Sequence, residues 1–189
     1  MFISWRDIIN AMKGFWRLIH LDPYGLVYFD SSFKGIKKSF FLALPLLPLY
    51  IIFTFYQAKN DLEIINIKFV TVYGLAYIIG WVAFPLFAYY LIRFMGHLAY
   101  YNSYIVVYNW FTLPQMVLFF LLFLLLQSGW VPENFIGLLM AVLSIASMVG
   151  LWIITSITLL LPGVGIFALI LSDIIIEIVL DLSVKFLLA

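Results

Sequence analysis

The chain contains no cysteine, only two histidines and very little charge: Asp, Glu, Lys and Arg together make up 10% of its 189 residues. The first absence excludes disulfides, thiolate metal sites and cysteine nucleophiles. His20 and His97 are too few for a histidine-rich metal centre. There is no phosphate-cradling glycine loop, no metal-spaced set of histidines and carboxylates, and no nucleophile elbow. Gly163-Val164-Gly165 is a glycine pair that a hairpin turn explains fully. No catalytic, cofactor-binding or metal-ligating residue follows from the sequence, and the protein is not expected to be an enzyme. Nucleic acid is not expected as a partner either. The net charge of +1 is uninformative there, and the distribution of charge matters more.

What the chain has instead is apolar side chain. Hydrophobic residues are 66% of the sequence and the mean hydropathy is +1.15. A soluble domain of this length has too much surface to go without polar cover, whereas lipid serves as solvent for such a composition. The apolar runs do not alternate with polar residues, as barrel strands would. The expected fold is all-α: a polytopic membrane protein of about five transmembrane helices, plus an N-terminal amphipathic interfacial helix. Residues 1–30 read as an amphipathic cytoplasmic or interfacial segment, and 31–189 as a single five-span domain. Charged residues interrupt the first 20 positions, so no cleavable signal peptide is expected.

Residues 4–21 predict the amphipathic helix. Trp5, Ile8, Ile9, Met12, Phe15, Trp16 and Ile19 form its apolar face; Arg6, Asn10, Lys13, Arg17 and His20 recur opposite. Ser4 suits the N-cap and Asp7 the first turn. Trp5 and Trp16 on one side with Arg6, Lys13 and Arg17 on the other fit a helix lying on the membrane surface, the alternative being packing on the protein's own cytoplasmic face. Asp22-Pro23 ends that helix, and Ser31 or Ser32 caps the next. The first span is expected over Ser39–Gln57, interrupted by Pro45 and Pro48, and the second over about Phe69–Met95, kinked at Pro85. A polar loop occupies residues 58–68 between them.

Residues 98–114, LAYYNSYIVVYNWFTLP, are crowded with Tyr100, Tyr101, Tyr104, Tyr108 and Trp110. Rings with polar handles favour the membrane–water boundary, so the segment reads as an interfacial helix or a helical extension that turns into the third span at Pro114. A ligand box of these rings with Asn102 and Asn109 is the rarer alternative. The third span, Pro114–Gln127, is nearly pure Leu and Phe. The fourth, about Asn134–Leu161, carries Gly137, Ala141, Ser144, Ser147 and Gly150 at spacings that let helices approach closely. A hairpin at Leu161-Pro162-Gly163 leads straight into the fifth.

That fifth span, Gly163–Ala189, holds the most informative pattern. Asp173, Glu177, Asp181 and Lys185 recur every fourth residue and so share one stripe of an otherwise Ile-, Leu- and Val-covered helix. Asp173 falls about 15 Å along the helix, near the middle of a hydrocarbon core of about 30 Å. Ionisable groups at that depth face a protein interior, a partner or water. Of the cationic residues, Arg6, Lys13, Arg17, Lys34, Lys37, Lys38 and Arg93 fall on one side, against Lys59, Lys68 and Lys185 on the other. The positive-inside rule then places the N-terminus in the cytoplasm and the C-terminus outside, in a membrane expected to be the bacterial inner membrane.

From about residue 35 onward, the order of segments resembles the Yip domain family of Ypt/Rab-interacting membrane proteins, in its bacterial form. The likeness rests on a cytoplasmic N-terminal segment, five spans with almost no loop between the last two, and the segment YYNSYIVVYNWFTLP before the third. It implies a non-enzymatic membrane-organising or partner-binding role and supplies no catalytic residue. Two functions therefore stand as expectations. One is a scaffold or accessory subunit that binds a protein partner or a second copy of itself through the stripe, with the lipid bilayer as its other partner. The other is a small-solute or cation and proton transport component lined by the stripe. The lack of an internal repeat favours the scaffold.

Overall fold

A computed structural model of the protein describes residues 3–57 and 66–188. Most of the polar loop expected over 58–68 lies outside the described residues, as does Lys59. Seven α-helices follow in order: α1 Trp5–Ile19, α2 Phe33–Phe40, α3 Ala43–Gln57, α4 Ile67–Phe94, α5 Tyr101–Ser128, α6 Glu133–Leu159 and α7 Gly163–Leu188. Short 3-10 helices cover Pro23–Tyr28 and Leu98–Tyr100. Among the described residues there are no strands. Five stretches are long and apolar enough to cross a membrane: Phe33–Tyr56, Ile67–Phe94, Leu98–Ser128, Phe135–Leu159 and Gly163–Leu188. The protein is thus an all-α polytopic membrane protein.

The first span is two helices rather than one. The helix is interrupted at Phe41 and Leu42; Phe41 is four residues before Pro45, whose missing N–H would have bonded the Phe41 carbonyl. The Leu44 amide takes that carbonyl instead, at 3.2 Å. By contrast, Pro48, Pro85 and Pro114 all lie inside continuous helices. Pro114 therefore lies within the third span and not at its start, and the aromatic segment is the helical extension, one of the two expected readings. That helix starts at Tyr101, and the aromatic segment is its first turns. A membrane helix tolerates the ring because neighbouring groups re-satisfy the freed carbonyl.

Consecutive spans are antiparallel, so the turns at 95–100 and 160–162 lie at one end of the bundle together with α1 and α2. The turn at 129–132 and the end of α7 lie at the other. The α1 end has its own core, in which Ala11, Phe15 and Leu18 of α1 meet Val107 and Trp110 of α5 and Ile154 of α6. A second core joins Phe84, Ala88 and Ile92 of α4 to Leu169 and Ile170 of α7. The expected close approach of α6 occurs at Gly150, where a Cβ would sit 2.7 Å from the Phe111 ring; at Gly137 no neighbour is within 4 Å.

The N-terminal helix is capped as expected. The Ser4 N–H and hydroxyl both donate to Asp7, at 2.7 and 2.6 Å, and the Asp7 N–H returns a bond to the Ser4 hydroxyl at 3.3 Å. Lys38 of α2 pairs with the same carboxylate at 2.6 Å. Partial burial pushes the Asp7 carboxyl up, but the bonds from Lys38 and Ser4 outweigh it and hold the group below the usual carboxylate range. Nearby, the buried Asn109 amide of α5 donates to the buried Ser39 hydroxyl of α2 at 3.0 Å. These contacts fix α1 and α2 to the bundle.

Candidate functional site

The acidic stripe of α7 meets a cavity of about 800 Å³ whose walls come from all five spanning segments. From α3 come Tyr50 and Thr54; from α4, Tyr77, Trp81 and Phe84; from α5, Tyr108, Thr112 and Gln115; from α6, Ser144 and Ser147; and from α7, Asp173, Glu177 and Asp181. These residues occupy the middle of each helix and the half directed away from α1.

Asp173 lies deepest, only 6% exposed. Its partner is Tyr108, whose hydroxyl reaches both carboxylate oxygens, at 2.9 and 3.0 Å. One proton serves both, so the bond is bifurcated. The Tyr108 ring is fixed in turn against Phe84, with centroids 4.6 Å apart, and lies 6.0 Å from Tyr104. One turn further along α7, Glu177 is exposed and makes no hydrogen bond or ion pair among the described residues. Asp181 is exposed as well, but pairs with Lys185 at 2.6 Å. Exposure thus rises along the stripe from a buried, phenol-held carboxylate to a paired one near the helix end.

The same cavity carries an aromatic wall from α3 and α4. Tyr50 and Tyr77 have ring centroids 4.7 Å apart, and the Tyr77 hydroxyl is held by the Ala43 carbonyl. Trp81 stacks edge-on beyond Tyr77, at 6.3 Å. Between acids and rings, several polar groups lack any protein partner among the described residues. The Ser147 side chain is only 7% exposed and has no hydrogen bond; half-buried Thr112 and Gln115 likewise have none. Ser144 differs, since its hydroxyl bonds back to the Met140 carbonyl of its own helix at 2.9 Å.

The aromatic segment divides between core and surface. Tyr104, Asn109 and Trp110 are buried inside the bundle. Tyr101 is half-buried, its hydroxyl on the Pro85 carbonyl at 3.0 Å, while Tyr100 and Asn102 are exposed. Tyr108 and Asn109 line the cavity, and Asn102 does not.

In α1, the expected apolar face proves to be two. Ala11, Gly14, Phe15 and Leu18 are buried on the protein. Trp5, Ile9, Met12, Trp16 and Ile19 form a second stripe beside them, with Trp5 73% and Trp16 66% exposed. Arg6, Lys13 and Arg17 are exposed on the adjoining sector. Arg17 also lies 3.6 Å from Asp22.

Sequence reading identified the acids but not the residues they face. Gln115 had a usable signal, an amide within a span otherwise rich in Leu and Phe. Tyr50, Tyr77 and Trp81 had none, because tyrosines are common throughout this chain. Comparison with known proteins adds nothing to this geometry: no family model, no curated protein and no solved structure matches the chain.

Proposed function

We propose that the protein is a membrane-embedded binding component of a transport process, which takes a small solute into its five-helix cavity from the end opposite α1. The observation that carries this reading is where the stripe points. Asp173, Glu177 and Asp181 all line the protein's own cavity, and Asp173 is buried against Tyr108. A Yip-like scaffold binding a partner helix through those acids would need the stripe turned outward. A volume of about 800 Å³ lies in the range typical of small-molecule sites, which combine apolar walls with a few convergent polar groups. The excess of cationic residues at the α1 end orients that end toward the cytoplasm, so the solute enters from outside.

The absence of native cysteine makes the test direct. In intact cells, a thiol at Ser147→Cys should react with a small membrane-impermeant methanethiosulfonate added from outside. Val142→Cys, on a side chain 55% exposed on the bundle's outer surface, should stay unmodified, because thiolate does not form in lipid. Protection of Ser147→Cys from outside, or reaction only from the cytoplasmic side, would contradict the proposed entry.

We also propose that the outer stripe of α1 lies in the headgroup layer of the cytoplasmic leaflet. Two exposed tryptophans beside three exposed cations have the character of an interfacial helix, and packing on the protein leaves that stripe uncovered. A peptide of residues 1–21 is expected to gain helicity on anionic vesicles, and less of it at high salt. Unchanged spectra on both anionic and neutral vesicles would rule this out.

A further inference from the structure

The cavity's chemistry narrows what it would hold. Resting on the binding reading above, we propose that its ligand is a protonated primary or secondary amine with an apolar body, the ammonium seated between Asp173 and Glu177. Charge is the first argument. Among the described residues, the lining contains three carboxylates and no Lys, Arg or His, and of those acids only Asp181 has an ionic partner, Lys185. Two acids one turn apart therefore face the cavity without a counter-charge, at a depth where ionised groups are paired or hydrated. An anionic solute would meet like charge. A neutral one would leave both acids uncompensated.

Hydrogen bonding supplies the second argument, independent of the acids. Ser147 is more than nine-tenths buried, lines the cavity and has no partner among the described residues. Half-buried Gln115 is in the same position. Buried polar groups left without partners are costly, so a site that leaves them open implies an occupant or water with matching donors. An ammonium has only donors, and the acceptors here are the unpartnered Glu177 carboxylate, the lone pairs of Asp173 beyond those that Tyr108 takes, a hydroxyl and an amide oxygen. Quaternary ammonium, which lacks N–H, would satisfy none of them.

The third argument is shape. Part of the cavity wall is aromatic, with Tyr50, Tyr77 and Trp81 in ring contact, a surface that attracts cations and covers apolar groups. A bare metal ion fits poorly. The space is far larger than an ion, and no cluster of three His, Cys, Asp or Glu suited to a metal exists among the described residues.

The test is calorimetric titration of the full chain in nanodiscs, corrected with protein-free nanodiscs. The panel holds primary amines from butylamine to tryptamine, the alcohols of the same carbon frames, and phenylacetate. At least one amine should bind about tenfold or more tighter than its alcohol, with no binding of phenylacetate. Glu177→Gln, an exposed position where folding is undisturbed, should weaken that amine by about tenfold. Equal binding of amine and alcohol, or an unaffected Glu177→Gln variant, would overturn the amine assignment while leaving the cavity as a binding site. If no member of the panel binds, charged or neutral, both the assignment and the binding reading fall.

Discussion

Gly35→Ala should strongly destabilise the N-terminal cap and lower the thermal unfolding temperature of the purified protein. Gly35 is in the first turn of α2, where its N–H donates to the Ser32 cap at 3.3 Å. A Cβ there would lie 1.7 Å from the Asp30 carbonyl oxygen and 2.6 Å from its carbon. No side-chain rotation relieves contact with backbone, so Asp30 must move away from the helix. Asp30 also holds the Ser32 N–H at 3.0 Å, and the adjacent Phe29 packs on Phe15 of α1, with ring centroids 5.1 Å apart. One methyl group therefore disturbs the α2 cap and the seat of α1 together. Overpacking of this kind costs about 1–3 kcal/mol and a lost cap about 1 kcal/mol more. Gly137→Ala is the control: it has open space within 4 Å and should be neutral or stabilising by up to about 1 kcal/mol, as helix propensity dictates. Equal melting of the two variants would show that the Gly35 contact relaxes without cost.

Much of this architecture is legible in the chain because bilayer physics is one-dimensional. The number of spans, the Ser4 cap and the four-residue recurrence of Asp173, Glu177 and Asp181 are all local patterns, and each appears in the structure. The choice of neighbour is not local. Tyr108 and Asp173 are separated by 65 positions, and nothing in either segment's periodicity pairs α5 with α7. Of the fourth-span hydroxyls nearby, Ser144 bonds to its own helix and Ser147 opens on the cavity, and neither pairs with Asp173. The burial of Tyr104 and Trp110 was hidden for the opposite reason. Their rings carry a local signal, an interfacial preference, but that signal says nothing of the packing that buries Tyr104 against α4, α6 and α7 and Trp110 against α1 and α6. The double apolar face of α1 was partly visible, since its apolar residues span a wider arc than one contact stripe requires.

Substitutions at the Tyr108–Asp173 pair should separate binding from stability, and they are expected to have the largest effect on function. Tyr108→Phe removes the hydroxyl that donates to both oxygens of a carboxylate only 6% exposed. Leaving a buried acceptor without its partner costs about 1–3 kcal/mol, so this variant should be less stable. Asp173→Asn keeps the shape and still offers an oxygen to Tyr108. It should fold, insert and melt close to wild type, while losing the charge that an ammonium would meet. Amine binding should then fall about 10- to 100-fold, as expected when one member of a desolvated charge pair is neutralised. Asp173→Leu discards both charge and acceptor. It removes an expensive buried group but orphans the Tyr108 hydroxyl, so its stability should stay within about 2 kcal/mol of wild type while binding disappears. The informative comparison is Asn against Leu across melting, amine titration and whole-cell uptake. Loss of binding in both, with melting preserved in Asn, assigns Asp173 to the ligand. Full binding and uptake in Asp173→Asn would mean that the carboxylate's charge is not used, and that the pair is a polar seam locking α5 to α7.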